Sequence, residues 1–243
     1  MEFCCGQAVS HARHSDQCVL VVAAHPDDEV LGCGGTLARI AGAGGAVHVL
    51  LIADGETSRV ARARPKTEAR RLARRRRAAQ AAGEILGVAS VDVLDHPDNR
   101  LDSVDLLDLV KEIEAIVQRY NPSMVLTHHA GDVNVDHRAV HDAVIAACRP
   151  LPGHCVRKLL FFEVPSSTEW RPCGSAQQFN PNWFVDISAT LATKMQALKA
   201  YEAELRAFPH PRSLGAVEAL AKWRGASVGV MAAEAFALGR YRE

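Results

Sequence analysis

The sequence predicts an α/β protein: a mostly parallel, doubly wound sheet covered by helices on both faces. Three observations predict it. Short β-rich runs alternate with stretches of helical period. Several runs are apolar on consecutive residues, as strands buried on both faces require. The clusters richest in histidine and carboxylate follow directly after two of these runs, and ligands bind sheets of this kind outside the carboxyl ends of their strands.

The strand candidates in chain order are 18–24 (CVLVVAA), 46–53 (AVHVLLIA), 91–94 (VDVL), 123–129 (SMVLTHH), 156–164 (VRKLLFFEV) and 182–187 (NWFVDI). Between the third and fourth, LLDLVKEIEAIVQRY sets Leu106, Leu109, Val110, Ile113, Ile116 and Val117 on one helical stripe. Asp102 or Ser103 is available as its N-cap, and Asn121-Pro122 is the stop. The last stretches, 189–208 and 213–240, read as two or three helices packed on the sheet.

At 243 residues and 48% hydrophobic content the chain can bury a sizeable core. No repeat or composition break divides it, so residues 18–243 are expected to form one domain behind a flexible tail, 1–17. Lysine plus arginine equals aspartate plus glutamate at 28 each, so no global charge argues for nucleic acid or membrane. Seven cysteines without a C-x-x-C pair argue against a disulfide framework and a structural zinc knuckle. With no signal-peptide core at the start and no apolar run approaching ~18 residues, a cytoplasmic location without membrane insertion is expected.

The chemistry is concentrated in AHPDDE, 24–29. His25 and Asp28 stand three apart across a proline, in a turn leaving a strand and entering a helix, so both side chains can face one cavity. Imidazole plus carboxylate is half of a catalytic zinc site, and GDVNVDHRAVHDA supplies a third ligand, His137, after another strand. Asp27 beside them is the candidate general base. Glu29 and Asp136 suit supporting roles, Glu29 beneath the site or at the helix N-terminus and Asp136 toward His137 or the base. Two alternatives stay open: the three acids as plain helix caps, and His141, one turn beyond His137, as the ligand instead.

AHPDDEVLGCGGTLA and DHRAVHDAV closely resemble the two metal motifs of the LmbE-like (PIG-L) family of zinc-dependent de-N-acetylases. ADGE, LDHPDNRLD and AEAF extend the likeness over residues ~18 to 240. The resemblance implies a Rossmann-like domain that hydrolyses the acetamide of an N-acetylglucosamine-type sugar conjugate. It implies one zinc, or iron in the cell, on His25, Asp28 and His137, and Asp27 as general acid/base. It also places Asp98 on a sugar hydroxyl. Where many members carry a histidine three residues before the ligand histidine, this chain has Asn134, so Asn134 or a nearby imidazole, His129 before His128, is expected at the oxyanion.

Residues 59–77 hold nine arginines and one lysine against one glutamate. A solvated helix face is the plain reading; the sharper one sets Arg74 against an anionic group of the substrate. FPHPRS suits a rim loop, with His210 and Arg212 as substrate contacts. Nucleic-acid binding lacks interleaved aromatics, a homo-oligomer is compatible with the chain, and Gly32, Gly34 and Gly35 read as close helix-to-sheet packing rather than a dinucleotide loop. The rival functions are hydrolysis of a sugar ester or another amide, and metal-dependent sugar binding without turnover.

Overall fold

A computed structural model describes residues 17–55, 65–172, 174 and 177–243. The strands are β1 (Cys18–Ala23), β2 (Ala46–Ala53), β3 (Ser90–His96), β4 (Met124–His128), β5 (Lys158–Phe162), β6 (Trp183–Asp186) and β7 (Ala233–Tyr241). The helices are α1 (Asp28–Gly42), α2 (Pro65–Leu86), α3 (Leu106–Tyr120), α4 (Val135–Ala147), α5 (Leu191–Ala200) and α6 (Leu214–Ala226). The sheet order is β3-β2-β1-β4-β5-β7-β6. β1 to β5 pair in parallel, and β7 runs antiparallel to both β5 and β6. The tail 1–16, with Cys4, Cys5, His11 and His14, lies outside the described residues, as do Arg59, Arg62, Arg64 and Cys173.

β1 shows why the sheet needs two covers. Val19, Val21 and Ala23 enter one core with Val30 and Leu37 of α1, Leu198 of α5 and Val217 of α6. Leu20, Val22 and Ala24 enter the other with Leu109 and Ile113 of α3 and Val140 and Val144 of α4. A strand whose residues are apolar on both faces is stable only between two helical layers. The helix α1 lies close against the sheet because a Cβ at Gly32 would meet the Phe162 ring at 2.3 Å, and one at Gly35 would meet Ile187 at 2.7 Å.

Two elements differ from the sequence reading. A short 3-10 turn, Leu101–Ser103, occupies the residues expected to cap α3, and Asp105 is the cap instead, accepting from the Leu107 N–H at 2.9 Å. That helix buries Leu109, Val110, Ile113 and Val117, and Asn121 closes it in the left-handed conformation, φ 48°. The larger correction is AEAFALGRY, expected as helix and found as β7. Its alanines and leucine favour a helix by propensity, but it fills the gap between β5 and β6, and pairing with both outweighs local preference.

Candidate metal centre

β1 and β4 are neighbours whose crossover connections leave in opposite directions, so their carboxyl ends frame a crevice. The turn after β1 carries His25, Asp27 and Asp28; the loop after β4 and the first turn of α4 carry Asp132, Asp136 and His137. All six are buried.

His25, Asp28 and His137 each offer one ligand atom, and the three atoms lie within 4.8 Å of one another. Asp28 Oδ2 is 3.2 Å from His25 Nδ1 and 3.2 Å from His137 Nε2. Asp28 Oδ1 and His137 Nε2 are buried without an aligned hydrogen-bond partner. Convergent buried donors of this kind cost free energy unless a cation meets them, so the set fits a divalent ion. Burial alone would raise the Asp28 carboxyl, but the imidazoles of His137 and His25 hold it well below the usual range. Burial likewise disfavours the His137 cation, yet Asp28 and Asp132 raise that ring to about 9.

Each histidine has a carboxylate on its far side. His25 Nε2 is 2.9 Å from Asp136 Oδ2 and 3.1 Å from Asp98 Oδ1. Asp136 also accepts the Asn99 and Leu101 N–H groups, at 2.7 and 2.9 Å. It therefore supports His25, whereas the sequence had suggested His137 or the base. His137 Nδ1 is 3.1 Å from Asp132 Oδ2. Asp132 in turn accepts from the hydroxyls of Ser167 and Thr168 and from the Asn134 N–H. Burial would raise its carboxyl, but these contacts lower it far below the usual carboxylate range. Such partners fix the tautomer and orientation of a ligand histidine.

Asp27 sits at φ 118°, a strained conformation for a residue with a side chain, and makes no side-chain cap for α1. Plain helix capping is therefore not its role. Its N–H donates to Glu29 Oε2 at 3.0 Å, and Glu29 Oε1 accepts from the Tyr201 hydroxyl at 2.5 Å. Burial pushes Glu29 up to about 7. Asp27 Oδ2 is paired with Arg212 at 3.0 Å, while Oδ1 is buried without a partner. Burial raises the Asp27 carboxyl, and the Arg212 charge opposes that rise.

The other candidates fall as follows. Asn134 caps α4 by accepting the Asp136 N–H at 2.8 Å, and its amide nitrogen lies 3.3 Å from Asn99 Oδ1. His129 Nε2 lies 3.1 Å from the Gln177 carbonyl. His128 stacks on His137 at 3.9 Å and accepts the Ala24 N–H at 2.8 Å, so its proton is on Nδ1; burial holds it well below the usual histidine range. His141 Nδ1 donates to the His128 carbonyl at 2.8 Å and is outside the ligand set, so the pair His137/His141 does not converge. Asp98 is inside the centre through His25. Arg74 is exposed on α2; the neighbouring Arg75 is the one turned inward, paired with Glu204 at 2.9 Å. Arg212 reaches the centre, and His210 supports it, its Nδ1 accepting the Arg212 N–H at 3.0 Å.

Sequence reasoning missed Asp132, Arg75 and Tyr201. Asp132 had a signal, an aspartate in a tight turn five residues before a ligand histidine. Arg75 lay one position from the arginine expected to face the substrate, and Tyr201 had no signal, because it enters from the end of α5, far along the chain.

Known proteins resemble this chain in sequence and in fold. A family described as "PIG-L: GlcNAc-PI de-N-acetylase" matches residues 20–148. The deacetylase YaiS of Escherichia coli K12, itself uncharacterized, is 30% identical over 76% of this chain and 90% of its own. The diacetylchitobiose deacetylase of Thermococcus kodakarensis is 30% identical over 76% of this chain and 69% of its own. Among solved structures, GalB, the 4-carboxy-2-hydroxymuconate hydratase of Pseudomonas putida KT2440, superposes with a TM-score of 0.74 at 25% identity, covering 93% of this chain and 98% of its own. On the strength of the match over the two strand ends that build the centre, the chain belongs to the PIG-L family of de-N-acetylases.

Proposed function

We propose that the protein is a zinc-dependent hydrolase that removes the N-acetyl group from an N-acetylglucosamine-type sugar conjugate, with iron as the other ion its donor set would take in a cell. The observation that carries this reading is the buried His25, Asp28 and His137 set with Asp27 beside it, one carboxylate oxygen anchored and the other unpaired. Two imidazoles and one carboxylate suit zinc and leave room for substrate and water. An ion bound there supplies Lewis acidity, polarising a carbonyl and making water acidic near neutral pH.

The chain's own residues supply the rest. Asp27 takes the proton of the attacking water on Oδ1 and delivers it to the departing amine. Its burial favours the protonated form that the second half of this cycle needs. Arg212 holds Asp27 Oδ2 and brings a cation to the centre, the charge that Asn134 lacks as a neutral amide. Asp136, Asp98 and Asp132 hold the two imidazoles, and in this reading Asp98 also meets a sugar hydroxyl. No helix among the described residues is long and apolar enough to cross a membrane.

The test is release of acetate and amine from a panel of N-acetylglucosaminyl conjugates, free, lipid-linked and nucleotide-linked, with metal content measured alongside. Chelator-sensitive release supports the reading; none from fully metallated protein overturns it. The likeness to the hydratase raises a second reading, addition of water to an unsaturated carboxylate through the same base. Loss of diene absorbance with no acetate formed would favour it.

A further inference from the structure

At the opposite end of the sheet from the metal centre, where β1, β4 and β5 begin, a cavity of about 560 Å³ opens. The six residues of β1 separate the two places by roughly 20 Å at the usual strand rise. Four basic side chains line it, Arg39, Arg157, Lys158 and Arg242, against one acid, Glu243. Lys158 is half-buried, and among the described residues neither it nor Arg157 has a carboxylate partner. The Lys158 ammonium instead lies over two rings, 4.4 Å from the Trp183 centroid and 5.0 Å from that of Tyr241. Burial pulls its pKa below the usual lysine value, as expected of a cation that has lost water without gaining a counter-charge.

A second observation stands apart from charge. Thr36 on α1 also lines this cavity; it is only 2% exposed, and its hydroxyl has no hydrogen-bond partner. Buried hydroxyls are rarely left so, and a ligand oxygen would complete it. Guanidinium forks and an ammonium together match phosphoryl oxygens. The volume exceeds what an inorganic ion fills and falls in the range of organic-ligand pockets, with Trp183 and Tyr241 available to a flat body.

We propose that this cavity is a second ligand site, binding a soluble organic phosphate whose phosphoryl group meets Lys158, Arg157, Arg39 and the Thr36 hydroxyl and whose body packs on Trp183 and Tyr241. The site is independent of the hydrolytic reading, since no residue in it belongs to the metal centre.

The experiment is calorimetric titration of the full chain with ADP, adenosine and inorganic phosphate at constant ionic strength. The expected result is one ADP per chain, no binding of adenosine, and weaker binding of inorganic phosphate. Lys158→Met keeps the apolar stem, and Arg157→Ala alters an exposed residue; each should weaken ADP at least about 10-fold, near 1.4 kcal/mol. Metal affinity and melting temperature should not change in either variant. Absence of ADP binding, wild-type ADP affinity in both variants, or multiple weak sites that fade with salt would each overturn the proposal. So would ADP binding that disappears with chelator and survives Lys158→Met, because it would put the phosphate on the metal centre.

Discussion

Asp132→Asn tests whether the carboxylate behind His137 sets the metal site. In the native protein Asp132 Oδ1 accepts the Asn134 N–H at 2.8 Å and the Ser167 hydroxyl, while Oδ2 faces His137 Nδ1 at 3.1 Å and accepts the Thr168 hydroxyl at 2.7 Å. A backbone N–H can only donate, so the asparagine must keep its oxygen on the Asn134 side and turn its NH₂ toward His137. Donor then faces donor at Nδ1. The imidazole answers by moving its proton to Nε2, the nitrogen that points at Asp28 and the ligand set. The loss of one hydrogen bond to a charged group is worth about 1.5–3 kcal/mol. Outer partners of metal-bound histidines are worth about 10- to 100-fold in metal affinity, or roughly 1.4–2.8 kcal/mol. The two estimates agree. Competition with a chromophoric chelator should therefore show zinc bound at least about 10-fold more weakly by Asp132→Asn, with the fold intact by circular dichroism. A variant that binds zinc as tightly as the wild type would refute the reasoning, and Asp132 would be only a staple between the β4 and β5 loops.

The remaining predictions concern the base, the protons, its clamp and the core thiols. Asp27→Asn should keep its metal and lose about 10²- to 10⁴-fold in kcat, whereas His25→Ala, Asp28→Ala and His137→Ala should lose the metal as well, both read by metal analysis beside activity. His137 is raised to about 9 in the metal-free protein, so it is protonated at pH 7 and the ion must displace that proton. Zinc affinity should then rise with pH through about 9 and beyond, because, against the effect of burial, Asp136, Asp28 and Asp98 also hold the His25 ring well above the usual histidine range, with proton release measurable by calorimetry in buffers of different ionisation enthalpy. Tyr201→Phe removes the hydroxyl from Glu29, which holds the strained Asp27 backbone. It should cost about 1.5–3 kcal/mol of stability in a urea melt and lower kcat with KM and metal content unchanged. Burial pushes Cys148 up to about 12, so mass spectrometry should find it unalkylated after iodoacetamide at pH 8 in the folded protein and modified once urea is added.

The legible parts were those written in local order. β1, β2 and β4 announce themselves as consecutive apolar residues, and α3 as a stripe at helical spacing, because both patterns follow from the burial each element meets. Asp28, His25 and Asp27 were legible together because one turn carries them. β7 was misread because AEAFALGRY carries a helix-favouring composition, and the vacancy between β5 and β6 that it fills is not a local property. The arginine of the 59–77 run that turns inward was one position from the expected one: Arg75 and Arg74 differ by about 100° around α2, and only the packing of α5 against that helix says which face is inside.

By itself, then, the sequence determined the α/β class, the two strand ends that bear chemistry and the donor types gathered there, since periodicity and motif spacing act within a few residues. Tertiary structure alone decided which partner each group received. Asp136 went to His25 and Asp132 to His137; Arg212 closed on Asp27 across a separation of 185 residues, and Tyr201 on Glu29 across 172. Side chains so far apart in the chain meet only after the sheet has formed and its loops are anchored on one edge, and their charges acquire these interaction strengths only when water has been excluded.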